Sequence, residues 1–255
     1  MSRPTTFVVL TTQRSGSSWL VDLLNDHPAV AAYAEMFRVT DTTVSDYGAT
    51  DVPRFEVTVS RGKVSTSKAL AGGRYAYLRG LERAHPGAQA VGFKLTYDQT
   101  SDHPGLLSLL VLRRARFIHL VRRDLLGGIL SFDRAEQRNR WRYHEGDAIP
   151  SARVHADTSD LLRRLDDRER EIQRFRRRLR RLPTQVIEIA YEDLSERRDD
   201  VLQRVLRFLG VTPAKTELTS SLVRSAPASS SEAIENPDDV RAALMGTRFE
   251  WLVRA

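Results

Sequence analysis

Arginine, glycine and three serines crowd into the run Gln13-Arg14-Ser15-Gly16-Ser17-Ser18, which Trp19 closes. Residues of these types suit the grip of an anion, most simply a phosphate. Arg14 offers a planar fork of donors, and the hydroxyls of Ser15, Ser17 and Ser18 add single ones. Gly16 lets the backbone approach a ligand closely. Phe7-Val8-Val9-Leu10 before the run is apolar and fits a strand buried on both faces. Trp19, Leu20, Leu23 and Leu24 after it recur at helical spacing, so a helix begins near Ser17. A strand that turns through such a loop into a helix aims several backbone N–H groups, and the helix's partial positive charge, at one point. An ordinary strand-to-helix turn with Ser17 as N-cap would use the same residues. The loop lacks both the Gly-x-x-x-x-Gly-Lys-Ser/Thr pattern of nucleotide triphosphatases and the Gly-x-Gly-x-x-Gly pattern of dinucleotide binders.

Three further places carry chemistry. Arg122-Arg123-Asp124 follows the predicted strand Arg116–Val121, and Asp124 can cap a helix that bears Ser131. Two arginines at the same sheet edge as the first loop suggest a second phosphate site; a solvated surface pair is the ordinary alternative. Glu35 stands among Tyr33, Met36 and Phe37, where apolar neighbours would favour a carboxyl suited to proton transfer. A glutamate reaching to water would look the same in sequence. Lys94 lies near the C-terminal end of the predicted strand Ala90–Leu95, and ligands of open parallel sheets bind beyond those ends. A lysine at a strand edge is the bland alternative. His119 is expected to pack or bond locally.

The elements that must hold these residues alternate in type. Strands are expected at 7–10, 90–95, 116–121 and 186–191. Helices are expected after Ser17, around Tyr75 to Leu81, at 106–112, after Asp124, at 161–182, 201–209 and 238–245. This is an α/β pattern with a parallel sheet. The helix from Leu161 carries Leu165, Ile172, Phe175, Leu179 and Leu182 on one face, interrupted by Arg168, and is otherwise almost all charge. It reads as an amphipathic helix with a solvated outer face. Residues 40–67, rich in Thr, Ser, Asp and Gly, read as an irregular insertion that covers a site. About 134–182 forms a second, helical insertion, and 212–237 a loop over the surface.

At 255 residues the chain can bury a full core, and no linker divides it, so one domain spans 1–255. It has no cysteines, which excludes disulfides and Cys-based zinc sites and suits a reducing compartment. No apolar run reaches the ~20 residues that span a bilayer, and Met1 to Thr6 runs almost directly into a strand, leaving no room for a signal peptide. A cytoplasmic location is the expectation. Against 33 Asp and Glu stand 40 Lys and Arg, a formal net charge of +7. The excess is mostly arginine, and a positive cleft for a multiply anionic small molecule would benefit from it.

Together these segments resemble the sulfotransferases that use 3'-phosphoadenosine-5'-phosphosulfate (PAPS), in particular the bacterial carbohydrate and glycolipid branch that includes trehalose sulfotransferase. Gln13 to Leu20 is similar to that family's 5'-phosphosulfate loop. Phe117 to Ser131 resembles the 3'-phosphate motif, in which Arg122 or Arg123 acts with Ser131. Tyr191-Glu192-Asp193-Leu194 resembles the segment whose tyrosine lies near the adenine, and Glu35-Met36-Phe37 sits where the bacterial branch carries its proposed catalytic glutamate. Eukaryotic cytosolic members have a lysine where this chain has Arg14. They place a histidine where Thr96 stands here, which removes the obvious histidine base and raises the standing of Glu35. The family's arginine-rich segment near the C-terminus is not recognisable.

The resemblance implies a P-loop-like three-layer α/β/α fold with a central parallel sheet of four to five strands. It implies sulfuryl transfer from PAPS to the hydroxyl of a sugar, glycolipid or small natural product, with 3'-phosphoadenosine-5'-phosphate (PAP) as product. Arg14 would stabilise the bridging oxygen, Lys94 assist, and Glu35 act as general base. No metal is implied, no nucleic acid is expected, and the oligomeric state is left open, a homodimer included. Two rivals remain: another phosphate-handling α/β enzyme such as an atypical nucleotide kinase, and a nucleic-acid-binding protein built on the arginine-rich helix.

Overall fold

The structure is a computed structural model and describes residues 3–38, 48–49, 55, 57–60, 63–66, 73–148, 153–213, 217–223 and 234–254. Its frame is a five-stranded, all-parallel sheet. In chain order the first elements are β1 (Thr5–Thr11), α1 (Ser17–Asn25) and β2 (Val30–Glu35), then a hairpin of β3 (Val57–Ser60) and β4 (Lys63–Thr66). There follow α2 (Gly73–Ala84), β5 (Ala90–Thr96), α3 (Tyr97–Asp102), α4 (Leu106–Leu112), β6 (Arg116–Val121), α5 (Leu125–Gln137) and α6 (Leu161–Arg180). The chain closes with β7 (Val186–Ala190), α7 (Tyr191–Glu196), α8 (Arg198–Leu209), α9 (Pro237–Leu244) and a 3-10 turn at Glu250–Val253. The large sheet runs β2-β5-β1-β6-β7, and β3 and β4 pair only with each other, antiparallel.

Side chains of β1 alternate between two cores. Val8 and Leu10 pack with Phe93, Leu95 and Phe117 on one face. Phe7 and Val9 pack with Ile118, Leu120 and Ile189 on the other. Each of these β1 residues is fully buried, which is worth about 1.5–3 kcal/mol per side chain. The first face is covered by α2, α4, α5 and α6 through Leu78, Leu107, Ile129 and Leu165. The second is covered by α1 and α8 through Leu23, Leu24, Val205 and Leu206. The result is the expected three-layer α/β/α architecture, because strands buried on both faces need helices on both sides.

The sheet has five strands, and the one not expected is β2. Val30 to Ala34 are small or apolar and all buried, but the stretch carries no alternation to mark it. It pairs with β5 from Val30 opposite Ala90 onward. The insertion expected at 40–67 contains the β3–β4 hairpin; its remaining residues, apart from 48–49 and 55, lie outside the described residues. Part of the loop expected at 212–237 also lies outside them. Among the described residues no helix is long and apolar enough to cross a membrane.

Candidate active site

All five strands of the sheet deliver residues to one cavity of about 410 Å³ at their C-terminal ends. The loop after β1 supplies Gln13, Arg14, Gly16, Ser17, Ser18 and Trp19. Arg14 takes a positive φ of 61° and Gly16 one of 81°; this tight reversal turns the chain from strand into helix. Gly16, not Ser17, is the N-cap of α1, and no side chain caps it. The first N–H groups of the helix therefore face the cavity mouth without a side-chain acceptor, as an anion site requires. Ser15 does not line the cavity. It is buried, its hydroxyl donates to the Thr12 carbonyl at 2.9 Å and meets the Thr11 hydroxyl, so it braces the loop from behind.

Arg14 crosses from this loop to the next. Its Nε donates to the Ser131 hydroxyl on α5 at 3.0 Å and its Nη1 to the Trp141 carbonyl at 2.6 Å. Burial, and then the charges of Arg122, Arg134 and Arg142, push its pKa down to about 10. At neutral pH the group remains charged among like charges, so an incoming anion would relieve both costs.

The sequence left Arg122 and Arg123 as alternatives, and the structure separates them. Arg122 lines the cavity, lies 4.9 Å over the Tyr191 ring and donates to Asp124 at 3.0 Å. Arg123 points away: its guanidinium holds Asp193 with two hydrogen bonds, at 3.1 and 2.8 Å, and is largely exposed. Asp124 caps α5 as expected, its carboxylate accepting from the Gly127 N–H at 2.8 Å. Ser131 and Tyr191 both line the cavity.

Glu35 and Lys94 meet across β2 and β5. Strict alternation would put Glu35 on the face of Ala31 and Tyr33, whereas Lys94 alternates with Phe93 and Leu95. A register shift between Tyr33 and Glu35 brings Glu35 opposite Lys94, the re-aiming that bulges perform. Lys94 Nζ donates to Glu35 Oε1 at 2.7 Å, and Gln99 Nε2 donates to Oε2 at 2.7 Å. The apolar frame expected around Glu35 holds for its neighbours Tyr33, Met36 and Phe37, all buried. It does not hold for the carboxylate itself, which a cation and an amide engage.

Gln99, Arg134, Trp141, Arg142 and Tyr143 were not singled out from the sequence. Gln99 sits in an unremarkable polar stretch. Arg142, with Trp141 and Tyr143, lines the cavity from the segment after α5. Arg134, one turn beyond Ser131 on α5, is buried, and none of its three guanidinium nitrogens has a hydrogen-bond partner among the described residues. Arg168 did leave a signal, as the charge that breaks the apolar face of α6. Its Nη1 donates to the Gln13 carbonyl at 3.0 Å and thus ties that helix to the first loop.

Among the described residues that line the cavity, Arg14, Arg38, Lys94, Arg122 and Arg142 stand against the single carboxylate of Glu35. Such a site favours a ligand with several negative charges.

A family model described as Stf0 sulphotransferase matches residues 6–236. Nodulation protein H of Rhizobium tropici is 24% identical over 248 residues, which cover 95% of this chain and 90% of that protein. The crystal structure of a sulfotransferase from Alicyclobacillus acidocaldarius has a similar fold, with a TM-score of 0.52 at 16% identity, covering 88% of this chain and 87% of that one. The family match takes in the loop after β1, the β6–α5 turn, Glu35 and Tyr191 alike, and on that span the chain belongs to the Stf0 sulphotransferase family.

Proposed function

We propose that this sulfotransferase moves the sulfuryl group of PAPS to the hydroxyl of a sugar, glycolipid or small natural product, with Glu35 as general base. The observation that carries the reading is the opening of two cationic strand-to-helix turns, β1–α1 and β6–α5, into one cavity that Glu35 shares. The residues present fit such a nucleotide. Its charges match the excess of cations around the cavity, and the buried Arg134, whose charge bears on Arg14, adds to that field.

When bound, PAPS supplies an activated sulfuryl group. Arg14 and the N–H groups that open α1 hold the 5' end and stabilise negative charge as it grows on the leaving phosphate oxygen. Arg122 and Ser131 hold the 3'-phosphate, and Tyr191 flanks the base. Glu35 accepts the proton of the acceptor hydroxyl, an effect worth about a hundredfold to ten-thousandfold in rate. Lys94 holds the Glu35 carboxylate through the ion pair at 2.7 Å. Trp141, Arg142 and Tyr143 shape the acceptor end. A single domain over 1–255, acting in the cytoplasm, completes the reading.

Titration calorimetry with PAP, ATP and NAD tests it, together with turnover of Glu35→Gln. Selective binding of PAP and a loss of at least about a hundredfold in kcat are expected. Magnesium-dependent binding of ATP in preference to PAP would favour a kinase instead, and full turnover in Glu35→Gln would remove Glu35 as the base.

A further inference from the structure

We infer that Gln99 is a positioning residue for the proton-transfer step: it sets which way the Glu35 carboxylate faces. The inference rests on the reading of Glu35 as general base. A carboxylate that must accept a proton from a placed hydroxyl needs one lone pair held towards it, within reach of a hydrogen bond. Lys94 alone cannot provide this. Its ammonium is a compact point charge on a flexible stem, and it follows either oxygen as the carboxylate turns. Gln99 engages the other oxygen, so the two donors together fix the plane of the group.

Gln99 is itself held. Only 2% of it is exposed. Its Oε1 accepts from the Thr96 N–H at 3.4 Å, in the capping box that opens α3. That choice leaves Nε2, and not the oxygen, to face Glu35, as a carboxylate acceptor demands. The next residue pins the helix start. The Tyr97 hydroxyl meets His119 Nε2 at 2.5 Å, and its ring stacks on Phe175 at 4.0 Å. A neutral amide adds no charge to the site, and its N–H bonds the carboxylate more strongly than the carboxylic acid. Among the described residues, charged groups facing Glu35 include Lys94 of β5 and Arg38, whose guanidinium lies 4.0 Å away; Arg14, Arg122 and Arg142 line the same cavity.

The test is the pH profile of kcat for Gln99→Met, run beside Glu35→Gln. Gln99→Met keeps the length of the side chain and loses the donor. Turnover should fall about tenfold to a hundredfold, in line with the cost of a small misplacement. The acid limb should move up by about one pH unit, because a donor to the charged form has gone. The KM for PAPS should stay within about twofold, since Gln99 stands behind Glu35 and does not itself line the cavity. Gln99→Asn retains the amide but draws it back by one carbon, and should shift the limb likewise if the Met variant does not fold. A purely structural role would lower Tm and leave the acid limb in place. That result, with Glu35→Gln inactive, overturns the role of Gln99 and spares the base. Full turnover in Glu35→Gln overturns both.

Discussion

The ring of Tyr191 occupies the space that a side chain at position 16 would need: a Cβ on Gly16 would lie 2.3 Å from Tyr191 Cδ2. The first residue of α7 thus rests on the turn between β1 and α1, and the left-handed φ of 81° at Gly16 makes the close approach possible. Gly16→Ala should therefore suffer twice, from backbone strain and from the clash. We expect a loss of about 1–3 kcal/mol in stability and a clear fall in PAP affinity. Adding Tyr191→Ala removes the clash but not the strain, so the double variant should regain only part of the stability. Unchanged Tm and PAP affinity in Gly16→Ala would refute the account.

Arg122 and Arg123 are neighbours with opposite prospects. Arg122→Ala should weaken PAP binding by about tenfold to a hundredfold, the worth of a hydrogen bond to a charged group. Arg123→Ala breaks an ion pair in which the arginine side chain is 58% exposed, and such pairs contribute about 0–1 kcal/mol. Its PAP affinity should be nearly that of the unmodified protein. Calorimetry on both variants decides, and equal losses would contradict the division of roles.

How much of this was legible in the sequence depends on what each feature needs. The buried strands around Phe7–Leu10, Ala90–Leu95 and Arg116–Val121 announce themselves because local composition alone makes them. The anion loop does so because its residue types are unusual together. β2 stayed hidden because Val30-Ala31-Ala32-Tyr33-Ala34 is neither alternating nor strongly β-branched, and only pairing with β5 makes it a strand. The register shift beside Glu35 is a property of two strands at once, so one strand's sequence cannot reveal it. Gln99 and Arg134 gain meaning only from what lies opposite them. Arg168 was visible as an anomaly without a partner; its partner, the Gln13 carbonyl, is 155 residues away in the chain.

Below the sheet rim, Tyr97, His119, Glu188 and Arg176 form a connected set. Burial holds the Tyr97 hydroxyl protonated by raising its pKa, so it donates to His119 Nε2. His119 Nδ1 then donates to Glu188 at 2.9 Å, and Arg176 grips the same carboxylate with two bonds of 2.7 Å. Burial pushes the Glu188 carboxyl up, but the hydrogen bonds from His119 and Arg176 outweigh it and hold it down at about 2, against 4.5 ordinarily. The group ionises more readily in the folded state. Its contribution is present in full above pH 4.5 and fades as pH falls towards 2. Because the carboxylate is 39% exposed, solvent screening limits that contribution to about 1 kcal/mol. Glu188→Gln should lower Tm at pH 7, and the gap to the unmodified protein should narrow below pH 4.5 and close near pH 2. A gap that does not change with pH would rule out the ionised carboxylate as its source.

The Lys94–Glu35 pair should behave differently, since its side chains are only 7% and 13% exposed. Removing one member of a buried pair leaves an uncompensated charge, at a cost of about 3–5 kcal/mol, whereas removing both costs much less. Lys94→Met should lose less than that full cost, because the Glu35 carboxylate keeps the Gln99 amide at 2.7 Å and the Arg38 guanidinium at 4.0 Å. Glu35→Gln/Lys94→Met should be more stable than Lys94→Met, with a coupling above about 0.5 kcal/mol in a double-mutant cycle of urea unfolding. Strict additivity would mean that the two groups do not depend on one another in the folded protein. Lys94 would then have no part in holding the Glu35 carboxylate, and Gln99 would be left as the donor that orients it.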